Sequence, residues 1–238
     1  RIPAEMELSI DTSTRYASVG LSVQGETLVQ LSWRSEQNHS VELVPGIEQV
    51  MKRAGVSTEE IEAIFVTRGP GGFSALRVGL STAKAIAAAR TVPLVALGTL
   101  EVEAQPYLEL GMRVCALVGA GRGKLYAEVF GPNQEPSDGY HVVTFAELDT
   151  VAQSPTVFCG EGVSGAALEQ LRQLGGQVAP VTATPPTRSA AILARLGHVR
   201  LARGDTDDPD TVLPLYMPGS QWESALIRNA RSAPASKT

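Results

Sequence analysis

Four residues that could do chemistry, Asp11, Thr12, Ser13 and Thr14, follow directly on an alternating apolar segment near the start of the chain. A tight turn after a strand points amides and hydroxyls at one place, where they can hold a phosphate while the carboxylate orients a metal ion or water. The same side chains can instead close the turn by hydrogen bonding to the backbone. The spacing favours this structural role, and Asp11, Thr12 and Ser13 remain weak candidates for a vestigial nucleotide site.

Two glycine-rich loops are further candidates for binding an anion. Residues 69–74 lead into a helical pattern, but no Lys and Ser/Thr pair follows as in a P-loop. Gly160, Gly162 and Gly165 have the G-x-G-x-x-G spacing of a dinucleotide site between a strand and a helix. Such a site needs an acidic residue at the end of the next strand, and segment 179–182 has none. Gly160 and Gly162 are therefore only weak candidates for cofactor binding.

Histidine and cysteine spacing gives no support to metal or covalent chemistry. His39, His141 and His198 are isolated, and none has the i, i+4 partner of a zinc-binding helix. Cys115 and Cys159 each lie in an apolar segment, which predicts buried, reduced thiols. We therefore assign no catalytic residue and no metal ligand.

The secondary-structure elements that would position these residues follow a repeated plan. Residues 6–11 alternate with the period of a half-buried strand, and the pattern continues as β, β, α, β, α, β, α. After Gly111 the same order returns. The sequence predicts an α/β protein with one domain over residues 1–98, a second over 99–218 and a tail over 219–238.

Small residues mark one of the helices of the first predicted domain. Ser74 is a good N-cap after the glycine-rich turn, and Gly79, Ala83 and Ala87 follow at helical spacing. A partner helix could approach such a face more closely than a ridge of leucines would allow. The alternative is an ordinary interior helix.

Composition limits the classes of protein that the chain can belong to. It has 238 residues, 43% of them hydrophobic, and a net charge of −5, which argues against binding a nucleic acid unaided. No apolar run has membrane-spanning length and no signal pattern opens the chain, so we expect a cytoplasmic protein with no membrane contact. The first residue is not Met, which leaves the true start open. Residues 204–210 are polar and predict a solvated loop.

Three segments, IDTSTRYASVGLSV, NHSVELVPGIEQVM and RGPGGFSALRVGLSTAKAIA, resemble the TsaB (YeaZ) family, and the resemblance covers residues 5–216. That family is similar in fold to the actin, hexokinase and Hsp70 (ASKHA) superfamily. The resemblance implies two tandem half-domains, each a mixed sheet of a three-strand meander plus parallel strands, flanked by helices.

Family membership implies a bacterial subunit that does no chemistry itself. It would pair with the catalytic paralogue TsaD, work with the ATPase TsaE, and support threonylcarbamoylation of the adenosine beside the anticodon in certain transfer RNAs, contacting the tRNA only through the complex. Two helices of the first domain would form the face shared with TsaD, or with a second copy of the chain when TsaD is absent. The residues implied for this face are His39, Leu43, Ile47, Val50, Leu76, Gly79, Leu80, Ala83 and Ala87.

The chain departs from the paralogue at the metal motif. TsaD carries H-x-x-x-H on the helix after the meander, whereas His39 is followed four residues on by Leu43. One histidine cannot supply a ligand set, so the resemblance implies a non-catalytic subunit with no cofactor beyond weak ATP or ADP binding. Segment 119–126 also departs from the family run D-A-R-R-G-E-V-Y, which leaves its role open.

Two other functions stay open on the sequence. A stand-alone ATP-dependent kinase or ATPase could use Asp11, Thr12 and the loop 160–165. A metallopeptidase is the second, and the missing metal ligands count against it.

Overall fold

The computed structural model describes residues 5–36, 38–133, 136–151, 155–175, 178–182 and 186–216. The strands are β1 (Met6–Asp11), β2 (Tyr16–Val23), β3 (Glu26–Arg34), β4 (Ile61–Gly69), β5 (Leu94–Gly98), β6 (Arg113–Gly121), β7 (Lys124–Phe130), β8 (Pro136–Thr144), β9 (Thr156–Cys159) and β10 (Val178–Pro180). The helices are α1 (His39–Ala54), α2 (Phe73–Arg90), α3 (Thr99–Leu108), α4 (Leu148–Val151), α5 (Gly165–Gln173) and α6 (Ala190–Ala202).

The strands form two five-stranded sheets with the same topology. The first has the order β3-β2-β1-β4-β5. The second has the equivalent order β8-β7-β6-β9-β10, in which β6, β7 and β8 correspond to β1, β2 and β3. In each sheet the first three strands pair antiparallel and the last two join in parallel. The predicted repeat of a meander followed by parallel strands is confirmed, and with it the α/β fold class.

Strand β1 is buried on both faces, so the prediction of a half-buried strand is wrong. All six of its residues are buried, including the polar Glu7 and Ser9. Leu8 and Ile10 face a core that α1 and α2 share with the first sheet. Helices cover both sides of the sheet, which explains why alternating residue types lead to uniform burial.

Helix α6 comes from the second half of the chain and packs against the first sheet. Its residue Leu193 lies in one cluster with Phe65 and Leu97 of that sheet. A Cβ at Gly197 would lie 2.3 Å from Cγ of Phe65, so only glycine permits this approach of helix to strand.

Helix α3 packs mainly against the second sheet. Leu100, Ala104 and Leu108 belong to the core of β6, β7 and β9. Because α6 lies within the second predicted domain but packs on the first sheet, the limits 1–98 and 99–218 remain a proposal. The predicted tail, 219–238, lies outside the described residues.

The glycine-rich turn before α2 packs on the turn after β1. A Cβ at Gly71 would lie 2.1 Å from the carbonyl oxygen of Ser13, and the amide of Gly72 donates to that same oxygen over 2.7 Å. The requirement for glycine is confirmed. Helix α2 begins at Phe73 with Gly72 as its N-cap, so the prediction of a Ser74 cap is wrong.

The polar segment 204–210 is attached to the first sheet, so the prediction of a solvated loop is wrong for its centre. The amide of Asp207 donates to the carbonyl of Leu94 over 2.8 Å, and its carboxylate accepts the amide of Ala96 over 2.8 Å. Within the described ranges, no helix combines the length and the hydropathy that crossing a bilayer would take.

Candidate functional site

Asp11, the acidic residue of the first candidate site, is buried and fully engaged. Its Oδ1 accepts the amide of Ser13 over 2.9 Å and the hydroxyl of Thr67 over 2.7 Å. The Ser13 hydroxyl also donates to Oδ1, and Thr99 donates to the Ser13 hydroxyl over 2.9 Å. These bonds match the structural interpretation of the turn, in which the side chains close it.

Thr12 and Gly79 fix the position of the same turn against α2. The Thr12 hydroxyl donates to the carbonyl of Ala75 over 2.7 Å. A Cβ at Gly79 would lie 2.3 Å from that hydroxyl oxygen. The small residue at position 79 therefore admits the turn of this chain itself rather than a helix of a partner.

A buried guanidinium, that of Arg188, occupies the centre of the site. Its Nε lies 2.8 Å from Oδ2 of Asp11, its Nη1 lies 3.0 Å from Oε2 of Glu103, and its Nη2 lies 2.6 Å from Oε1 of Glu161. We call these four residues the Arg188 cluster. Thr14 bridges it, because its hydroxyl contacts both Nη2 of Arg188 and Oε1 of Glu161.

The Arg188 cluster joins four separate parts of the fold. Asp11 ends β1, Glu103 lies in α3, Glu161 follows β9, and Arg188 precedes α6. The two sheets are therefore tied together by charge as well as by apolar packing.

The charge balance of the cluster keeps Arg188 protonated. Burial lowers the pKa of its guanidinium, but the carboxylates of Asp11, Glu161 and Glu103 outweigh burial and raise it. Glu103 also accepts the amide of Thr187 over 3.2 Å and its hydroxyl over 2.8 Å. Each acidic group is thus committed to a bond within the chain, and the arrangement positions elements rather than presenting a base or a nucleophile.

Gly160 and Gly162 pack against strand β6. A Cβ at Gly160 would lie 2.4 Å from the carbonyl oxygen of Leu117, and one at Gly162 would lie 2.7 Å from the Cβ of Leu117. The amide of Gly162 donates to the same carbonyl over 2.8 Å. Close backbone contact within the chain explains both glycines, and that amide is not free for a phosphate.

The side chains predicted for a partner interface lie in the core of this chain, which is a correction. In α1 and α2 the apolar stripe faces the first sheet, because burying it there removes it from water. All nine predicted residues are buried, namely His39, Leu43, Ile47, Val50, Leu76, Gly79, Leu80, Ala83 and Ala87.

Other residues form the outer face of these two helices. Val41 is 68% exposed and Val44 is 50% exposed on α1. On α2 the exposed positions include Ser81, Ala85 and Ala88. We call these five residues the outer face; it is apolar on α1 and built of small residues on α2.

The structure also shows the surroundings of His39 and of the two cysteines. Nε2 of His39 lies 2.8 Å from the carbonyl oxygen of Thr14, which ties α1 to the β1–β2 turn. Cys115 and Cys159 are free and buried, so the prediction of reduced, buried thiols is confirmed. Burial raises the pKa of Cys115 to about 12, which keeps that thiol protonated and unreactive at neutral pH.

Three residues of the Arg188 cluster were not found by sequence reasoning. Glu161 had a signal, since it stands between the two glycines of the G-x-G loop. Glu103 and Arg188 had none, because each is a single charge whose partners lie far away in sequence.

The fold and the site together define the class. The chain is an α/β protein of two five-stranded sheets that share one mixed topology, each flanked by helices. Residues 34–178 match the sequence model of TsaD, tRNA N6-adenosine threonylcarbamoyltransferase, and since that is more than half of the chain, the chain belongs to this family. The resemblance to its TsaB (YeaZ) relatives is confirmed by the following similarities.

The chain is 29% identical to the tRNA threonylcarbamoyladenosine biosynthesis protein TsaB of Haemophilus influenzae over 50% of this chain and 51% of that protein. It is 24% identical to TsaB of Bacillus subtilis over 66% of this chain and 71% of that protein. The match thus spans about half the length of the Haemophilus relative. A Pseudomonas aeruginosa protein with similarity to peptidase YEAZ superposes with a TM-score of 0.76 at 23% identity, over 90% of this chain and 100% of that one, which shows a shared fold.

Proposed function

We propose that this chain is a non-catalytic subunit in tRNA threonylcarbamoyladenosine biosynthesis and that it pairs with TsaD. The observation that carries the proposal is the engagement of Asp11. Its Oδ2 accepts Nε of Arg188 over 2.8 Å, and its Oδ1 accepts bonds from Ser13 and Thr67. A carboxylate held in this way is not available to orient a metal ion or an attacking water.

The residues at the position of the paralogue's metal motif also support a non-catalytic role. In the paralogue's H-x-x-x-H motif a second histidine stands four residues after the first. In this chain the residue four positions after His39 is Leu43, which is buried in the core. His39 itself contacts the carbonyl of Thr14. Both residues serve the packing of α1, and the donor set does not fit a metal ion.

The outer face is the surface that we propose for TsaD. Val41 and Val44 are large apolar side chains left exposed, and Ser81, Ala85 and Ala88 allow close approach of a second helix. The same face would pair two copies of the chain when TsaD is absent. The action of TsaE, the contact with tRNA through the complex and a cytoplasmic location belong to this proposal.

Reconstitution tests the proposal. TsaD, TsaE, ATP, the threonylcarbamoyl donor and substrate tRNA are combined with and without this chain, and modified adenosine is measured. We expect modification only when the chain is present, co-elution with TsaD in a stoichiometric complex, and no modification by the chain alone. Equal modification without the chain would contradict the proposal.

A nucleotide-binding enzyme is the second candidate, and a cavity lined by loops of both sheets favours it. This cavity, of about 720 Å³, is bordered by Arg15 and Lys124 and by the glycines of the β6–β7 turn. Calorimetric titration with ATP and Mg²⁺ separates the candidates. Micromolar binding with turnover by the isolated chain would favour the enzyme, and its absence would favour the subunit.

A further inference from the structure

Residues 211–216, which we call the strap, follow α6 and reach from the first sheet to the second. Val212 is buried in the core of the first sheet, and Lys84 of α2 donates to its carbonyl oxygen over 3.2 Å. The amide of Leu215 donates to the carbonyl oxygen of Arg68, near the end of β4, over 2.7 Å. The strap is thus attached to the first half of the fold at two separate points.

The far end of the strap contacts the second sheet. The hydroxyl of Tyr140, in β8, donates to the carbonyl oxygen of Tyr216 over 2.8 Å. The ring of Tyr216 also packs on that of Phe73, the first residue of α2, with ring centroids 5.1 Å apart. The strap itself forms no helix or strand. A segment held by a few such contacts opens at a lower free energy than the core does.

A cavity of about 300 Å³ lies beside the strap. Its wall includes Leu215 of the strap, together with Tyr140 and Phe130 of the second sheet. Two acidic side chains, those of Glu101 and Glu128, line the same cavity. Because Leu215 forms part of the wall, movement of the strap away from the two sheets would let water reach both carboxyl groups.

Glu128 carries a carboxyl group that this cavity disfavours in its charged form. The residue is partly buried in β7, between Tyr126 and Phe130 on the strand face that packs against α3. Among the described residues, none donates a hydrogen bond to its carboxyl oxygens. Burial, and after it the nearby carboxylate of Glu101, raises the pKa of Glu128 to about 7. Ionisation therefore places a charge without a hydrogen-bonded partner beside aromatic rings.

Other titratable and charged groups surround Glu128 on three elements. Glu101 of α3 and Arg68 of β4 line the cavity with it. Burial and the carboxylate of Glu101 outweigh His141 of β8, which lowers the pKa of Glu128. A proton on Glu128 thus removes one of two like charges from the cavity.

We propose that the strap responds to pH: it stays closed while Glu128 carries its proton and opens more often once the proton is lost. In the open state water reaches the carboxylate, which removes the cost of keeping the charge away from solvent. Opening breaks the contacts of Leu215 and Tyr216, so the closed state remains the major one and ionisation raises the population of the open one. This response belongs to the chain by itself and does not depend on TsaD.

Amide hydrogen exchange of the full chain at pH 6 and pH 8 tests the proposal. The protection factor of the Leu215 amide, corrected for the intrinsic exchange rate at each pH, reports opening of the strap. We expect it to fall about tenfold from pH 6 to pH 8, because the carboxyl group of Glu128 returns to its ordinary pKa of 4.5 in the open state. A constant protection factor would overturn the proposal.

An amide of the core separates opening of the strap from unfolding of the whole chain. Leu8 lies in the central strand β1 and is buried. The protection factor of Leu215 should be lower than that of Leu8 at both pH values. Equal protection of the two amides would mean that the strap opens only when the whole chain unfolds, and this too would overturn the proposal.

Two substitutions of glutamate by glutamine give a matched pair of variants. In Glu128→Gln the side chain cannot ionise, so the protection factor of Leu215 should be the same at pH 6 and pH 8. Glu169→Gln, at an exposed position of α5, should keep the fall of the unaltered chain. A fall of the same size in Glu128→Gln would overturn the assignment of Glu128.

Tyr140→Phe tests the contact that holds the end of the strap. The variant loses the hydrogen bond to the carbonyl oxygen of Tyr216, and we expect the protection factor of Leu215 to be about threefold lower at both pH values. The fall between pH 6 and pH 8 should remain, because Glu128 is unaltered. Protection equal to that of the unaltered chain would overturn the part of Tyr140 in closing the strap.

Discussion

Nε of Arg188 donates to Oδ2 of Asp11 over 2.8 Å, and this bond joins residues 177 positions apart in the chain. In the same cluster Arg188 reaches Glu103 and Glu161. The turn that follows β1 is thus held by a cation of the chain itself. These contacts join the two sheets through Arg188, and they support a structural role for Asp11.

Replacing Arg188 should destabilise the fold strongly. In Arg188→Met the buried carboxylates of Asp11 and Glu103, and the partly buried one of Glu161, lose their cation. We expect a loss of about 3–5 kcal/mol in the free energy of unfolding, measured in urea. Arg195→Met is the control, because its pair with Glu109 is 3.6 Å long and both side chains are about half exposed or more. A loss at Arg188 no larger than at Arg195 would contradict the role of the cluster.

A methyl group at Gly197 should disturb the packing of α6 on the first sheet. The added Cβ would meet the ring of Phe65 at 2.3 Å, so Gly197→Ala should cost about 1–3 kcal/mol of unfolding free energy. The double variant with Phe65→Leu should recover part of this loss, because the shorter side chain makes room. Gly119→Ala, where no atom lies within 4 Å of the added Cβ, is the matched control and should be close to neutral.

Charges on the outer face should abolish pairing with TsaD. Val41→Glu with Val44→Glu places carboxylates on the exposed side of α1, and we expect at least a hundredfold rise in the dissociation constant, about 2.7 kcal/mol, with an unchanged unfolding midpoint. Titration followed by light scattering measures both TsaD pairing and self-association. Leu28→Glu, which is 55% exposed on β3, is the control. Unaltered TsaD affinity in the double variant would place the interface elsewhere.

Glu128 should make the stability of the chain depend on pH. Burial, followed by the nearby carboxylate of Glu101, raises the pKa of Glu128 from 4.5 to about 7. The folded state therefore keeps a proton that the unfolded state loses between pH 4.5 and pH 7, and the stability that this proton contributes is lost as the pH rises through about 7.

Glu128→Gln should remove that dependence. We expect the variant to be more stable than the unaltered chain at pH 8, by about 1–3 kcal/mol, and the difference to shrink toward pH 4.5. Unfolding in urea across this range measures it. Glu169→Gln, at an exposed position of α5, should show no such trend. A constant difference across the range would contradict the raised pKa of Glu128.

The periodicity of the sequence was sufficient for the elements and their order. The stripe of Leu43, Ile47 and Val50 identified a helix with one apolar face, and the glycine at position 71 identified a turn that a Cβ would obstruct. The same stripe did not show which surface covers it. A core contact and a partner contact select the same residue types, so the interface was predicted on the buried side of the helix.

The sequence by itself determined the repeated α/β plan, the family and the local reasons for its turns, because these depend on residue patterns within a few positions of each other. Only the tertiary structure decided that α6 returns to the first sheet, that Val41 and Val44 form the outer side of α1, and that Arg188 closes the site. The partners of Arg188 are 85 and 177 residues away for Glu103 and Asp11. Contacts over such distances follow from how the two sheets pack, and no local pattern of hydrophobicity or charge specifies them.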